Sequence, residues 1–298
     1  MAVSGSETMN TTASGGEEEA VVRKVYRRLV WFLVLLFITS YLDRINISFA
    51  ALAMNKDLGL NATMFGLASS IFYIAYVCAE IPSNMLMPYF GARIWIPRIM
   101  ITWGLASAGT MFATGPNSLY VLRALTGLAE AGFMPGILLY LTYWFPASHR
   151  ARATSFFIMA QPITIMFGST ISGLILEING FLGLEGWRWL FLLEGLPAVL
   201  LGVFAYHDLN DSPASARWLS AREKDVLARA LARDEQAAAK AKDPRRAGTI
   251  GELFSAPVLL LCFAYLGLVV SLVTNSTWVP QIVRVVHPTS NFVVIGLI

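Results

Sequence analysis

Two pairs of ionisable residues lie inside long apolar stretches of the sequence. Asp43 and Arg44 are adjacent in the first stretch, and Arg123 and Glu130 share a later one. A charged side chain near the centre of a bilayer costs roughly 2.5 to 3.5 kcal/mol, so the four together would cost on the order of 10 kcal/mol facing lipid. We therefore expect them to face protein or water, where carboxylates can bind protons and arginines can bind anions.

The spacing of these residues places them on helix faces. Arg123 and Glu130 are seven residues apart, which is two helical turns, so both point to one face of their helix. Tyr41, Arg44 and Ser48 follow helical spacing in the first stretch and form a polar stripe. The pattern predicts polar faces that turn towards the interior of a helical bundle.

Neighbouring stretches add uncharged polar candidates. The second stretch places Tyr73, Tyr76 and Glu80 along one face, and Gln161 comes just before Pro162 in the fifth. The tyrosines suit packing and substrate contact equally well, and Glu80 suits a structural hydrogen bond. These residues extend the predicted polar region beyond the four charges.

Two interpretations of the charges remain open. Asp43 with Arg123, or Glu130 with Arg44, could be buried ion pairs that only fix helix packing. The other interpretation is a central polar cavity. It is favoured because the first and fourth helices would be the leading members of two three-helix repeats, which meet at the substrate path. Buried pairs are also an expensive way to stabilise a fold.

The composition is that of a membrane protein. Of the 298 residues, 56% are hydrophobic and 14% are charged, and the mean hydropathy is +0.60, well above a typical soluble domain. Seven windows are long enough to cross a bilayer, at about 29–54, 64–88, 94–113, 118–142, 153–176, 187–206 and 255–280. An eighth begins at Asn291 and runs to Ile298. The sequence predicts an all-α polytopic membrane protein, and we expect it to be C-terminally truncated.

Basic residues fall mainly on one side of these spans. With the N-terminus in the cytoplasm, 17 of the 22 Lys and Arg residues lie on the inner side, three lie on the outer side and two lie within helices. This asymmetry predicts a multi-pass protein with a cytoplasmic N-terminus. The net charge of +3 then reflects topology in a lipid bilayer, and no nucleic-acid partner is expected.

The composition divides the chain into four regions. Residues 1–24 are predicted to be a disordered cytoplasmic N-terminus, and 25–207 a six-helix transmembrane bundle. Residues 208–252 form a polar cytoplasmic loop, in which Ser220 and Glu223 have the spacing of a helical capping box. Residues 253–298 begin an incomplete C-terminal transmembrane half. An arrangement of six spans, a long cytoplasmic loop and then further spans is common among transporters.

Enzyme motifs are absent from the sequence. The three histidines are scattered, Cys78 and Cys262 are far apart, and no phosphate-binding loop or nucleophile and base pair is recognisable. We therefore expect no catalysis, no metal and no cofactor.

Ordered motifs along the chain resemble the major facilitator superfamily, and within it the anion:cation symporter family that includes bacterial tartrate and hydroxy-acid permeases. The motifs are YLDRINIS, IPSNMLMPYFGARIWIPRIMITWG, RALTGLAEAGFMPG, YWFPASHRARATS, GWRWLFLLEGLPA and DSPASARWLSAREK. The resemblance covers about residues 25–298. It implies the superfamily fold, with an N-terminal six-helix bundle, helix 7 and the start of helix 8.

The resemblance also implies roles for individual residues. Arg44 becomes the ligand of a substrate carboxylate, Asp43 and Glu130 become proton-coupling carboxylates, and Arg123 becomes a partner of those acids. The further substrate contacts that it implies are Tyr41, Tyr76 and Gln161. One departure is that the usual acidic position between helices 2 and 3 falls on Pro88.

The function implied is proton-coupled symport of an organic anion, a tartrate-like hydroxy-dicarboxylate or sugar acid, into a bacterial cell across its inner (plasma) membrane. The partners are then the anion, protons, the lipid bilayer and a C-terminal half from further sequence or another chain. Two alternatives stay open. One is an organic-anion exchanger, and the other is a transport-inactive membrane sensor or scaffold.

Overall fold

The computed structural model describes residues 16–241 and 254–297, and within these ranges the ordered elements are helices without strands. We number the helices α1 to α9. They span Gly16–Asp57 (α1), Ala62–Phe90 (α2), Ala92–Gly109 (α3), Pro116–Trp144 (α4), Ala147–Leu176 (α5), Gly186–Asp208 (α6), Ala221–Ala241 (α7), Ala256–Val286 (α8) and Phe292–Leu297 (α9). The fold is therefore the predicted all-α one.

Six of the described helices, namely α1, α2, α4, α5, α6 and α8, are long and apolar enough to cross a membrane. The third predicted span corresponds to α3, which is shorter and less apolar because Arg93 and Arg98 lie in its first two turns. A short 3₁₀ turn, Thr110–Phe112, extends α3. The side chain of Trp103 in its middle is fully buried, so α3 is an internal member of the bundle.

Small residues let these helices approach closely. A Cβ atom on Gly127 of α4 would overlap the carbonyl oxygen of Phe72 on α2. A Cβ on Gly168 of α5 would lie 2.6 Å from the side chain of Leu42 on α1. Backbone contacts of this kind fix α4 against α2 and α5 against α1, and thereby fix the polar faces of these helices.

The first helix begins earlier than the sequence predicted. Residues 16–24 were expected to be disordered, but they continue α1 as a regular helix. Val21 and Val22 are buried there, and Glu17 and Glu18 pair with arginines of α7. Burial and ion pairing offset the entropy cost of ordering this segment. The predicted disorder of residues 1–15 lies outside the described residues.

The helix predicted in the long loop is α7, and its capping box forms as expected. The Ser220 backbone N–H donates to Glu223 Oε2 at 2.8 Å, and the Glu223 N–H donates to Ser220 Oγ at 3.2 Å. Leu227 faces the bundle and is fully buried, so the apolar stripe of α7 is covered. Residues 242–252 of this loop lie outside the described part of the chain.

Two acids of this loop region hold the starts of bundle helices. Asp211 Oδ1 accepts a hydrogen bond from the backbone N–H of Arg93 at 2.9 Å, and Asp234 Oδ2 accepts one from the N–H of Ala147 at 2.5 Å. Both carboxylates lie at helix N-termini, where unpaired N–H groups and the helix dipole favour negative charge. Pro88 stands at the position between α2 and α3 where the family usually has an acid. The carboxylate at this turn comes instead from Asp211, which follows α6 in the chain.

The last two helices rest against the bundle along α1 and α5. Ser48 donates to the carbonyl oxygen of Ser276 on α8 at 2.7 Å, and Ser169 donates to the carbonyl oxygen of Gly296 on α9 at 2.7 Å. Many apolar side chains of α8 are exposed, including Leu260, Leu261 and Phe263. These helices correspond to the predicted helix 7 and the start of helix 8.

Candidate functional site

The first and fourth helices are joined by a pair of opposite charges. Nε of Arg44 donates to Oε1 of Glu130 at 2.6 Å, and Ser40 Oγ donates to the same oxygen at 3.1 Å. Glu130 is 1% exposed, whereas the side chain of Arg44 is 25% exposed. The carboxylate of this pair is therefore buried, whereas the guanidinium group is partly accessible.

Glu130 lies where α4 is interrupted. The first segment of α4 is Pro116–Glu130 and the second is Phe133–Trp144, and Gly132 between them has a positive φ of 89°. A positive φ disfavours any residue other than glycine at this position. A Cβ on Gly132 would also overlap the Ser83 hydroxyl. Interrupted helices are common where membrane transporters bind their substrates.

Asp43 lies in a buried set of hydrogen-bond donors and makes no ion pair within 4.0 Å among the described residues. Its Oδ2 accepts from Trp103 Nε1 at 2.6 Å, and its Oδ1 accepts from Asn46 Nδ2 at 2.7 Å and from the Ser107 hydroxyl. Asp43 is 3% exposed. Three donors from two helices hold both oxygens, so this carboxylate is positioned independently of the arginines.

Arg123 is placed apart from the acids that the resemblance assigned to it. Among the described residues it makes no ion pair within 4.0 Å, and its Nε has no hydrogen-bond partner. Its guanidinium lies 4.4 Å from the ring centroid of Phe72, a cation–π contact. Arg123 is 4% exposed, so it is a buried cation available to a carboxylate that moves towards it.

The three predicted contact residues surround Arg44. Gln161 Nε2 donates to the hydroxyl oxygen of Tyr41 at 2.8 Å, which links α5 to α1. The guanidinium of Arg44 lies 4.9 Å from the ring centroid of Tyr76 on α2. Residues from α1, α2, α4 and α5 therefore converge at Arg44.

A larger cavity lies to one side of this cluster. Its volume is 990 Å³, and α1, α5, α8 and α9 line it with Phe49, Met166, Ser169, Asn275 and Ile295 among others. The four charged residues are not part of its lining. It is mainly apolar, so the chemistry of the site resides in the charged cluster.

Three residues of the site were missed from the sequence. Trp103 and Ser107 of α3 donate to Asp43, and Ser40 donates to Glu130. The four-residue spacing of Trp103 and Ser107 places both on one face of α3, which was the available signal. Ser40 lies one turn before Arg44 and could have been added to its polar stripe.

Comparison with known proteins is consistent with this architecture. Residues 33–298 match the model of the Major Facilitator Superfamily. The chain is 46% identical over 267 residues to a putative tartrate transporter of Agrobacterium vitis, covering 90% of this chain and 61% of the relative. It is 39% identical to a quinolone resistance transporter of Acinetobacter baumannii, with 90% and 61% covered.

The structural neighbours include a D-xylose-proton symporter, with a TM-score of 0.67 and 15% identity over 91% of this chain and 64% of that one. This likeness shows the fold alone. The chain spans about three fifths of the length of the relatives named above. Since the family model covers most of the chain and the neighbour shares its helical fold, the chain belongs to the Major Facilitator Superfamily.

Proposed function

We propose that this protein takes part in proton-coupled symport of an organic anion, a tartrate-like hydroxy-dicarboxylate or a sugar acid. The similarity to a putative tartrate transporter supports an anionic substrate of this class. A partly exposed arginine paired with a buried acid, with a second arginine and a second acid buried on the same two helices, supports a site that binds anions and protons together.

The observation that carries this proposal is the Arg44–Glu130 pair. Arg44 is the more exposed member, so an entering carboxylate can reach its guanidinium, but Glu130 already occupies Nε. A proton on Glu130 removes the competing charge and leaves Arg44 free for a two-hydrogen-bond contact with the substrate. Proton and anion then favour each other's binding, which is the coupling that symport requires.

The other residues have supporting roles in this scheme. Tyr41, held by Gln161, and Tyr76, against Arg44, line the approach to the guanidinium. Arg123 offers a second cation for the far carboxylate of a dicarboxylate. Asp43 is a second proton acceptor, whose hydrogen bonds from Trp103 and Ser107 link its charge to α3.

For the arrangement in the membrane we propose a bacterial inner (plasma) membrane protein with a cytoplasmic N-terminus. The distribution of Lys and Arg supports this orientation. Residues 25–207 would be the N-terminal bundle, 208–252 a cytoplasmic loop and 253–298 the start of the C-terminal half. The opposing half of the cavity would come from further residues or from a partner chain.

Uptake into proteoliposomes tests the proposal. Purified protein is reconstituted, and labelled tartrate is offered with and without an inward proton gradient. Uphill accumulation that a protonophore abolishes is expected. Uptake that responds to preloaded anion and ignores the gradient would instead identify an exchanger. Saturable tartrate binding without flux in any condition would favour a sensor or scaffold.

A further inference from the structure

A third buried acid lies close to Asp43 but outside the site described above. Glu194, in the middle of α6, is 1% exposed and makes no ion pair within 4.0 Å among the described residues. Its Oε1 accepts a hydrogen bond from the Ser172 hydroxyl on α5 at 2.8 Å. The hydrogen-bond donor to this carboxylate is therefore a neutral group.

Two atoms near Glu194 lack hydrogen-bond partners. They are its own second oxygen, Oε2, and Oδ1 of Asn46. Asn46 is fully buried and lies beside the Glu194 carboxylate, while its Nδ2 donates to Asp43 Oδ1 at 2.7 Å. Both unpaired atoms are acceptors when Glu194 is ionised, so neither can satisfy the other.

A proton on Glu194 removes a charge that would otherwise be buried without a counter-ion, which is costly in any protein interior. It also changes the unpartnered oxygen of an ionised carboxylate into a hydroxyl group. We propose that Glu194 holds a proton in this buried position between α6 and α5.

Among the residues that the structure describes, no counter-charge lies within 4.0 Å of the Glu194 carboxylate. From α1 the ionisable group that faces Glu194 is Asp43, which is itself acidic. From α5 the contact is the Ser172 hydroxyl. From α3 the approach is backbone, because a Cβ on Gly195, next to Glu194, would lie 2.8 Å from the nitrogen of Ala108. Such close packing leaves little room for a further cation.

Asn46 donates to Asp43 at 2.7 Å and also lies beside the Glu194 carboxylate, so Asp43 and Glu194 share this neighbour. Glu194 thereby becomes a proton-binding residue on the Asp43 side of the site, separate from the Arg44–Glu130 pair. Its use during transport rests on the proposed function, whereas its protonation does not.

Infrared difference spectroscopy on the full 298-residue protein in lipid nanodiscs tests the protonation without substrate or flux. At neutral pH the wild type minus Glu194→Gln spectrum should contain the C=O stretch of a protonated carboxyl group. Ser172→Ala should move this band because the carbonyl oxygen loses its donor.

An ionised Glu194 would give a different spectrum. Loss of carboxylate bands in Glu194→Gln, with no protonated band lost, would show an ionised Glu194 and overturn the proposal. Glutamine reproduces the donor and acceptor pattern of the protonated acid, so this variant should fold. If it does not, ¹³C labelling of glutamate carboxyls must shift a protonated band that Ser172→Ala also moves, and absence of such a band would overturn the proposal.

Discussion

Arg44 and Glu130 come from different helices of the bundle, and the hydrogen bond from Nε to Oε1, 2.6 Å long, is the charged contact between them. Glu130 is buried, whereas Arg44 is partly exposed. Loss of the charge on Glu130 therefore changes which groups Arg44 can bind. The first two predictions follow from this asymmetry.

Replacing Glu130 by glutamine should tighten anion binding. In the wild type, the Glu130 carboxylate holds Nε of Arg44 and competes with the substrate for it. Glutamine removes this competing charge. Tartrate binding at neutral pH should then be about tenfold tighter than in the wild type. Isothermal titration calorimetry measures the difference.

Glu80 provides a matched control for this experiment. It is half-buried on α2 and forms no ion pair within the described ranges. Glu80→Gln should keep the wild-type affinity. A wild-type affinity in Glu130→Gln as well would show that Glu130 does not compete with the substrate for Arg44, which would contradict the mechanism.

Replacing Arg44 by lysine should weaken tartrate binding by about tenfold or more. Both side chains are cationic, but only the guanidinium presents two parallel N–H donors to a carboxylate. Arg28→Lys is the control, since Arg28 pairs with Asp208 at the end of the bundle where α6 finishes. Equal affinities for the Arg44 and Arg28 variants would mean that the substrate does not contact Arg44.

The sequence raised the Arg44–Glu130 contact as one of two buried pairs in a structural interpretation, whereas it favoured a central polar cavity. It did not predict the donors of Asp43. Trp103 and Ser107 come from α3, and their position depends on how closely Gly104 of α3 packs against Gly195 of α6. Such close contacts between helices are tertiary and leave no periodic signal in one chain.

The contacts of the long loop also divide into local ones, which the sequence predicted, and distant ones, which it did not. The capping box of α7 is local, and Ser220 and Glu223 predicted it by spacing alone. The hydrogen bond from Arg93 to Asp211 joins residues 118 positions apart, and no local rule connects them. Order in residues 16–24 was missed for this reason too, since the arginine partners of Glu17 and Glu18 lie on α7.

Replacing Gly127 by alanine should destabilise the protein by about 1 to 3 kcal/mol, the usual cost of overpacking. The added Cβ meets the backbone carbonyl of Phe72, which cannot rotate away as a side chain would. Thermal unfolding followed by circular dichroism should show a lower Tm. Gly267→Ala on α8 is the control, because nothing lies within 4 Å of its Cβ position. A Gly127→Ala protein as stable as this control would contradict the close approach of α4 and α2.

The docking of α7 should weaken at acidic pH. The hydrogen bond from Lys24 lowers the pKa of Glu223 below its ordinary value of 4.5, and the Ser220 N–H adds to this. A lowered pKa in the folded state gives stability that is complete above 4.5 and is lost as pH falls through the folded-state pKa. Limited proteolysis should therefore cut α7 faster near pH 4 than at pH 7, and Glu223→Gln should be cut faster already at pH 7. Glu235→Gln, an exposed position on the same helix, should behave as wild type. Equal cleavage of both variants at pH 7 would show that the Lys24–Glu223 contact does not hold α7 to the bundle.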